Sequence, residues 1–85
     1  MNKNKILIEL EIPSIEKKYD LFIPINKKVG TIKTLLEEAL KDITDDDYEI
    51  REDTNLYSKD TGEIYDVNKT VRDTDLQNGS RIILI

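Results

Sequence analysis

Hydrophobic and polar residues alternate over two stretches near the start of the chain. Every even position from Ile6 to Ile12 carries a large aliphatic side chain. The same spacing recurs further on, at Tyr19, Leu21, Ile23 and Ile25. A period of two residues is typical of a β-strand with one buried face. The sequence therefore predicts two strands, which Pro13-Ser14 and a polar connection separate and which pair as a hairpin.

Pro24 lies inside the second predicted strand. Proline has no backbone N–H and cannot donate a hydrogen bond to a neighbouring strand on that side. We therefore expect this strand at an edge of the sheet.

A helical period replaces the alternation after Gly30. Apolar residues follow one another at intervals of three and four, at Ile32, Leu35, Leu36, Ala39, Leu40 and Ile43. This spacing predicts an amphipathic helix whose apolar stripe faces the sheet, with Thr31 as its N-cap. Lys33, Glu37 and Lys41 alternate in charge every four residues, and we expect them on the opposite, solvent-exposed side.

The second half of the chain carries shorter signals. Residues 42–53 are acidic and have no clear period, which predicts a loop from which Tyr48 and Ile50 pack inward. Two short strands are predicted at 55–58 and 64–65, around a turn in which Gly62 allows a positive φ.

The remaining apolar residues of this half are spaced further apart. Val71 and Leu76 are isolated apolar anchors in polar sequence. Asn78-Gly79 predicts a turn into a last strand that covers residues 81–85.

Two strands, one helix and further short strands form the element order of an α+β roll of the β-grasp, or ubiquitin-like, type. We predict a mixed sheet of four to five strands with the one amphipathic helix on one of its faces. In β-grasp topology the last strand runs parallel beside the first, so both are central. Residues 1–85 are expected to form a single domain, because the chain is long enough for one modest core.

Composition excludes several classes of function. The chain has a net charge of −5, and its acidic residues concentrate in the second half. This balance disfavours nucleic acid and anionic membrane surfaces, which cationic clusters bind. The sequence contains neither histidine nor cysteine, the commonest general base and the thiolate ligand. No apolar run approaches the length of a membrane span, so we expect a cytoplasmic protein without membrane insertion.

Catalytic and metal sites find no support in the motifs. An EF-hand that began at Asp45 requires glycine at its sixth position and glutamate at its twelfth, where Ile50 and Leu56 stand. The three glycines lie at element boundaries, so no phosphate-binding loop is present. We predict no enzyme, no catalytic residues, no metal and no cofactor.

The outer face of the predicted sheet offers a different kind of site. If Ile82 and Leu84 face the helix, the alternation places a second apolar set on the opposite face: Leu7, Phe22, Tyr57, Ile83 and Ile85. A contiguous apolar patch on a solvent face often marks a protein interface. The alternative is that Leu7 and Ile83 merely cover each other while Phe22 folds over the sheet edge.

Two segments resemble the YukD/EsaB family of small ubiquitin-like proteins, which are encoded with bacterial type VII secretion systems. The first is Tyr-Asp-Leu-Phe-Ile-Pro at 19–24, followed after seven residues by the helix segment 32–40. The second is the stretch 70–85, which has the Asn-Gly turn and terminal strand common to ubiquitin-like domains. The resemblance covers residues 6–85.

The resemblance implies a cytoplasmic, non-enzymatic accessory or regulatory protein of the secretion apparatus. The expected partner is a protein, such as a cytosolic part of the secretion machine, and the chain itself is expected to be a monomer or weak homodimer. Family members are not conjugated to other proteins, and the sequence here ends in Leu84-Ile85 without a Gly-Gly tail. The alternative is a ubiquitin-like sulfur carrier, or an adaptor domain of another system.

Overall fold

One helix covers one face of a four-stranded mixed sheet in the computed structural model, which describes residues 4–85. The elements are β1 (Lys5–Ile12), β2 (Lys17–Pro24), α1 (Val29–Ile43), β3 (Leu56–Ser58) and β4 (Arg81–Leu84), with single turns of 3-10 helix at Pro13–Ile15 and Val71–Asp73. The strand order is β2-β1-β4-β3, with β1 and β4 parallel and the other pairs antiparallel. The predicted α+β architecture is confirmed, including the parallel central pair.

The hairpin of β1 and β2 follows the alternation in the sequence. Ile8, Leu10 and Ile12 are almost fully buried, while the residues between them are more exposed. The register sets Leu10 opposite Tyr19, so the inward positions of both strands share one face. β2 lies at the sheet edge, as Pro24 predicted.

A hydrophobic core lies between this inner face and α1. Its fully or nearly buried members come from all four strands, the helix and the two loop regions after it: Ile8, Leu10, Ile12, Ile23, Val29, Ile32, Leu36, Leu40, Tyr48, Leu56, Val71, Ile82 and Leu84. Each such side chain contributes roughly 1.5–3 kcal/mol of gross hydrophobic stabilisation, most of which chain entropy offsets.

The start of α1 differs from the prediction. The helix begins at Val29 with Lys28 as N-cap, and Thr31 lies inside the first turn. A neighbouring loop replaces a capping hydroxyl, because the Val29 N–H donates to the Lys69 carbonyl and the Gly30 N–H to the Val67 carbonyl. A Cβ at Gly30 would lie 3.2 Å from that Val67 oxygen, so this close approach explains the glycine.

The apolar stripe of α1 is wider than the surface that covers it. Ile32, Leu36 and Leu40 are buried, but Leu35 is 46% exposed and Ile43 is 51% exposed. The expectation that the whole stripe enters the core is wrong at these two positions. Within residues 4–85 no helix is long and apolar enough to cross a membrane, and α1 has 15 residues.

In the loop after α1, both Tyr48 and Ile50 were predicted to pack inward. The prediction is correct for Tyr48, which is buried, and wrong for Ile50, which is 47% exposed. The predicted strand at 64–65 is reduced to a single bridge between Ile64 and Tyr57. Gly62 has the expected positive φ, and its N–H donates to the Ser58 carbonyl to close the turn after β3.

Candidate interaction surfaces

The outer face of the sheet carries the five apolar residues predicted from the alternation. Leu7 and Phe22 lie directly opposite each other on β1 and β2 and are 38% and 66% exposed. Tyr57 and Ile83 lie opposite each other on β3 and β4 and are half-buried. Ile85 follows two residues later, exposed on the same side, and its backbone pairs with Asn55.

A row of charged residues divides these apolar residues into two groups. Glu9 lies between Asp20 on β2 and Arg81 on β4. Each of the three alternates along its strand with inward-facing residues, so all three lie on the outer face. The first group is the Leu7–Phe22 pair, and the second group is Tyr57, Ile83 and Ile85. The five residues therefore form two apolar areas instead of one contiguous patch.

The register also excludes the alternative arrangement in which Leu7 and Ile83 cover each other. Ile83 pairs with Glu11, whereas the Leu7 carbonyl accepts a hydrogen bond from the Gly79 N–H in the last turn. Residues on β1 whose side chains share a face are two positions apart, so Glu9 stands between Leu7 and Glu11. Leu7 therefore remains an exposed neighbour of Phe22.

Ion pairs border the second apolar group. The Glu11 carboxylate accepts a hydrogen bond of 2.7 Å from the Lys59 ammonium and lies 3.8 Å from that of Lys18. The hydrogen bond from Lys59 outweighs desolvation and holds the pKa of Glu11 below its ordinary value, and the same bond raises the pKa of Lys59. Arg81 pairs with Asp60 beside them. A partner that covers Tyr57 and Ile83 therefore meets charges of both signs at the rim.

The best-built polar site lies elsewhere, and the sequence did not predict it. Glu37 was expected on the solvent side of α1, but it is only 2% exposed. One of its carboxylate oxygens accepts from the Tyr48 hydroxyl at 2.8 Å and from the Arg51 N–H at 3.2 Å. The other oxygen lies 3.1 Å from the Lys33 ammonium and accepts from the Thr54 hydroxyl at 3.2 Å.

These contacts keep the buried carboxylate ionised. Burial raises the pKa of Glu37, but the hydrogen bonds from Tyr48 and Arg51 and the charge of Lys33 outweigh burial, and the net pKa is lowered. Burial and then the Glu37 carboxylate raise the pKa of Tyr48. Both Glu37 oxygens are hydrogen-bonded within the protein, so this cluster binds the loop to the helix.

A second surface missed by the sequence analysis is a groove between β2 and α1. Its strand wall and helix wall are almost entirely apolar, and the lining residues are Leu21, Phe22, Ile23, Pro24, Ile32, Leu35, Leu36 and Ala39. Phe22 belongs both to this groove and to the outer face, because it stands on the edge strand. The exposed Leu35 of the helix stripe lies in this groove.

Metal-binding geometry does not occur in the part of the chain that the structure describes. Among residues 4–85 no group of three or more acidic side chains converges on one point that could hold a metal ion. The acidic residues between α1 and β3 are instead spread along an irregular segment in which Asp45 and Asp46 have positive φ.

Comparison with known proteins identifies the fold. Neither the known protein families nor the curated proteins give a match to this sequence. Among solved structures, one from work on the molecular mimicry of SUMO in DNA repair has a TM-score of 0.73 and 21% identity, over 100% of this chain and 95% of that one. The ubiquitin of Caldiarchaeum subterraneum has a TM-score of 0.69 and 16% identity, over 94% of this chain and 90% of its own.

A third neighbour is part of a much longer chain. A chain of the MycP5-free ESX-5 inner membrane complex has a TM-score of 0.71 and 11% identity, over 96% of this chain and 21% of that one. At such identities the likeness shows the fold alone. The chain therefore has the β-grasp fold of ubiquitin-like domains, as its alternation and helix spacing predicted.

Proposed function

We propose that this chain is a non-enzymatic protein-binding module that acts in the cytoplasm as an accessory or regulatory component of a bacterial type VII secretion system. Its partner is a protein, such as the cytosolic part of the secretion machine, and the chain acts as a monomer or weak homodimer. It is not conjugated to other proteins.

The observation that carries the proposal is the apolar group of Tyr57, Ile83 and Ile85 on a sheet face that the helix does not cover. Apolar side chains ringed by paired charges are typical of a protein interface, where the centre is desolvated and the rim stays polar. The ion pairs of Glu11 and Arg81 supply such a rim. Leu7 and Phe22 provide a second, smaller contact on the other side of the charged row.

The link to secretion rests on the family resemblance of residues 19–24, 32–40 and 70–85. The ESX-5 neighbour is compatible with it, since a domain of this fold occurs within a chain of a membrane-bound complex. The resemblance also supports a binding role without catalysis. Attachment to membranes in this proposal takes place through the partner.

A capture experiment from a lysate of the native cells tests the proposal. The baits are the wild type, Ile83→Thr and Ile50→Thr. Threonine keeps the β-branched shape that a strand favours, whereas an aspartate at position 83 would face Glu11 with a like charge. Ile50 is 47% exposed and lies outside the proposed interface, so it serves as the control.

We expect the wild type and the Ile50 variant to retain secretion-system proteins and Ile83→Thr to lose them, while all three melt within about 5 °C of one another. Capture of the same proteins by all three baits would refute the interface. A large fall in melting temperature for Ile83→Thr alone would show that Ile83 is a core residue.

Conjugation is tested separately, by incubation with a ubiquitin-activating type of enzyme and ATP followed by intact-mass measurement. We expect no adduct on the chain. An adenylate at Ile85 would favour the alternative, in which the chain is a sulfur carrier or a modifier of another system.

A further inference from the structure

The edge strand β2 has backbone groups that no neighbouring strand uses. The Ile25 N–H donates to the Asn4 carbonyl, so by the alternation of antiparallel pairs the odd-numbered residues of β2 bond to β1. The N–H and C=O groups of Lys18, Asp20 and Phe22 therefore point away from the sheet. Within residues 4–85 no strand lies beyond β2 to receive them.

Apolar surface lies next to this open edge. The groove between β2 and α1 is lined by the inward residues of the strand and by Leu35 and Ala39 of the helix. A separate depression near the end of α1 contains Ile15, Tyr19 and Ile43. An extended chain that hydrogen-bonds to β2 directs every second side chain to this side of the sheet.

The charges around the groove are unequal on its two walls. Glu38 and Asp42 follow Leu35 at intervals of three and four, which sets them along the same side of the helix. Asp45 and Asp47 line the depression at the helix end. Lys17 and Lys18 stand on the strand side of the groove, whereas the charged residues beside the apolar helix wall are Glu38 and Asp42. A basic residue of a ligand has its counter-charges there.

We infer that the open edge of β2 binds an extended peptide segment of a protein partner as a fifth strand, with alternate aliphatic side chains in the groove and lysine or arginine residues at the end near Asp42 and Asp47. This surface is separate from the Tyr57–Ile83 group and does not depend on the secretion role. Main-chain hydrogen bonds supply the attachment, and the groove and the acidic residues beside it supply the selectivity.

A second copy of the chain is the competing occupant of this edge. Antiparallel pairing of two β2 strands about Asp20, or about Lys18, places identical charges directly opposite each other, which destabilises a sheet. Pairing about Phe22 brings in Pro24, which has no N–H to donate. Pairing about Tyr19 avoids both conflicts, because it sets Lys18 opposite Asp20, so the experiment below compares peptide binding with self-association.

The test uses two synthetic ten-residue peptides of alternating valine and threonine. One carries two lysines at its amino end, and the other carries two lysines at its carboxyl end. The pair covers both directions in which a peptide strand can run along β2. Matched controls replace the lysines by glutamates, or the central threonine by proline. Binding is followed by the amide shifts of the labelled protein at low salt.

We expect the largest shifts at the amides of Lys18, Asp20 and Phe22, and a loss of binding with the proline peptide. Leu35→Gln should weaken the lysine peptide by about tenfold, while Ile50→Gln, at a site of equal exposure outside the groove, should leave it unchanged. The double variant Glu38→Gln, Asp42→Asn should reduce the preference for lysine over glutamate.

Four results would overturn the inference. The first is that shifts centre on Tyr57 and Ile83 instead of β2, and the second is that no peptide shifts any amide at millimolar concentration. The third is equal binding of the proline peptide, which cannot complete the strand. The fourth is that the β2 amides shift with protein concentration alone, which would assign the edge to a second copy.

Discussion

The two flanks of α1 reverse the usual relation between polarity and burial. The flank that carries Lys33 and Glu37 is charged, yet Glu37 is almost completely buried. The flank that carries Leu35 and Ala39 is apolar, yet Leu35 is nearly half exposed. The residue type along a helix shows whether a side chain favours water or the protein interior. Whether the side chain is in fact buried depends on which other segments of the chain pack over it.

The lengths of the two connections explain the difference. Residues 44–55 join α1 to β3, and this segment is long enough to fold back over the helix, where Tyr48, Arg51 and Thr54 reach Glu37. Residues 25–28 join β2 to α1 and are used in crossing from the sheet to the helix. Within residues 4–85 no other segment covers Leu35 on that side, so the groove beside β2 is open.

The largest effect should come from removal of the buried acceptor. Glu37→Ala leaves the Tyr48 hydroxyl, the Arg51 N–H and the Lys33 ammonium without their partner, which should cost about 3 kcal/mol of unfolding free energy. Urea denaturation of both proteins measures this loss of unfolding free energy. Glu38→Ala, on the exposed side, should cost less than about 0.5 kcal/mol. Equal costs at both positions would mean that the cluster adds nothing to the covered flank.

Acid should weaken the covered flank next. The folded pKa of Glu37 lies below its ordinary value of 4.5, so its stabilisation is complete above that pH and is lost as pH falls through the lowered pKa. Below pH 4.5 the melting temperature of the wild type should therefore fall more steeply with pH than that of Glu37→Gln. Parallel pH profiles would contradict the assignment.

Loss of one donor should have a smaller effect. Tyr48→Phe keeps the ring in the core but removes the hydroxyl that donates to the Glu37 carboxylate, at an expected cost of about 1.5 kcal/mol. The double variant with Glu37→Ala should be much less destabilised than the sum of the two single changes, because both remove the same bond. Simple additivity would show that the two side chains are not coupled.

The smallest effect is expected on the open flank. Leu35→Gln should change the unfolding free energy by less than about 0.5 kcal/mol, because glutamine is a good helix former and Leu35 is 46% exposed. A cost near 2 kcal/mol would mean that Leu35 is covered in solution, and the difference between the flanks would disappear.

Local periodicity was enough to predict most of the fold. The alternation of β1 and β2, the helix spacing and Pro24 predicted the hairpin, the helix and the edge strand, because each depends on residues close in sequence. The five outward apolar residues followed from the same parity. Their division by Glu9 and Arg81 did not follow, since it depends on which residue of β4 lies opposite which residue of β1.

The Glu37 cluster was beyond the reach of periodicity for a similar reason. Its donors come from a segment 11–17 residues later that has neither helical nor strand period. From the sequence alone, the spacing of four residues between Lys33 and Glu37 is equally typical of an ion pair exposed to solvent. Tyr48, an aromatic residue within an otherwise acidic stretch, was the one sign that this segment packs against something.

The parallel pairing of β1 with β4 has a consequence for how fast the chain folds. The Glu9 N–H donates to the Ser80 carbonyl, and Leu10 pairs with Ile82, so the two central strands meet only after almost the entire chain has been drawn into a loop. Closing so long a loop has an entropic cost that must be met before the contacts form. Docking of β4 should therefore be the late, rate-limiting event, and changes in β4 should slow folding more than changes in the local hairpin.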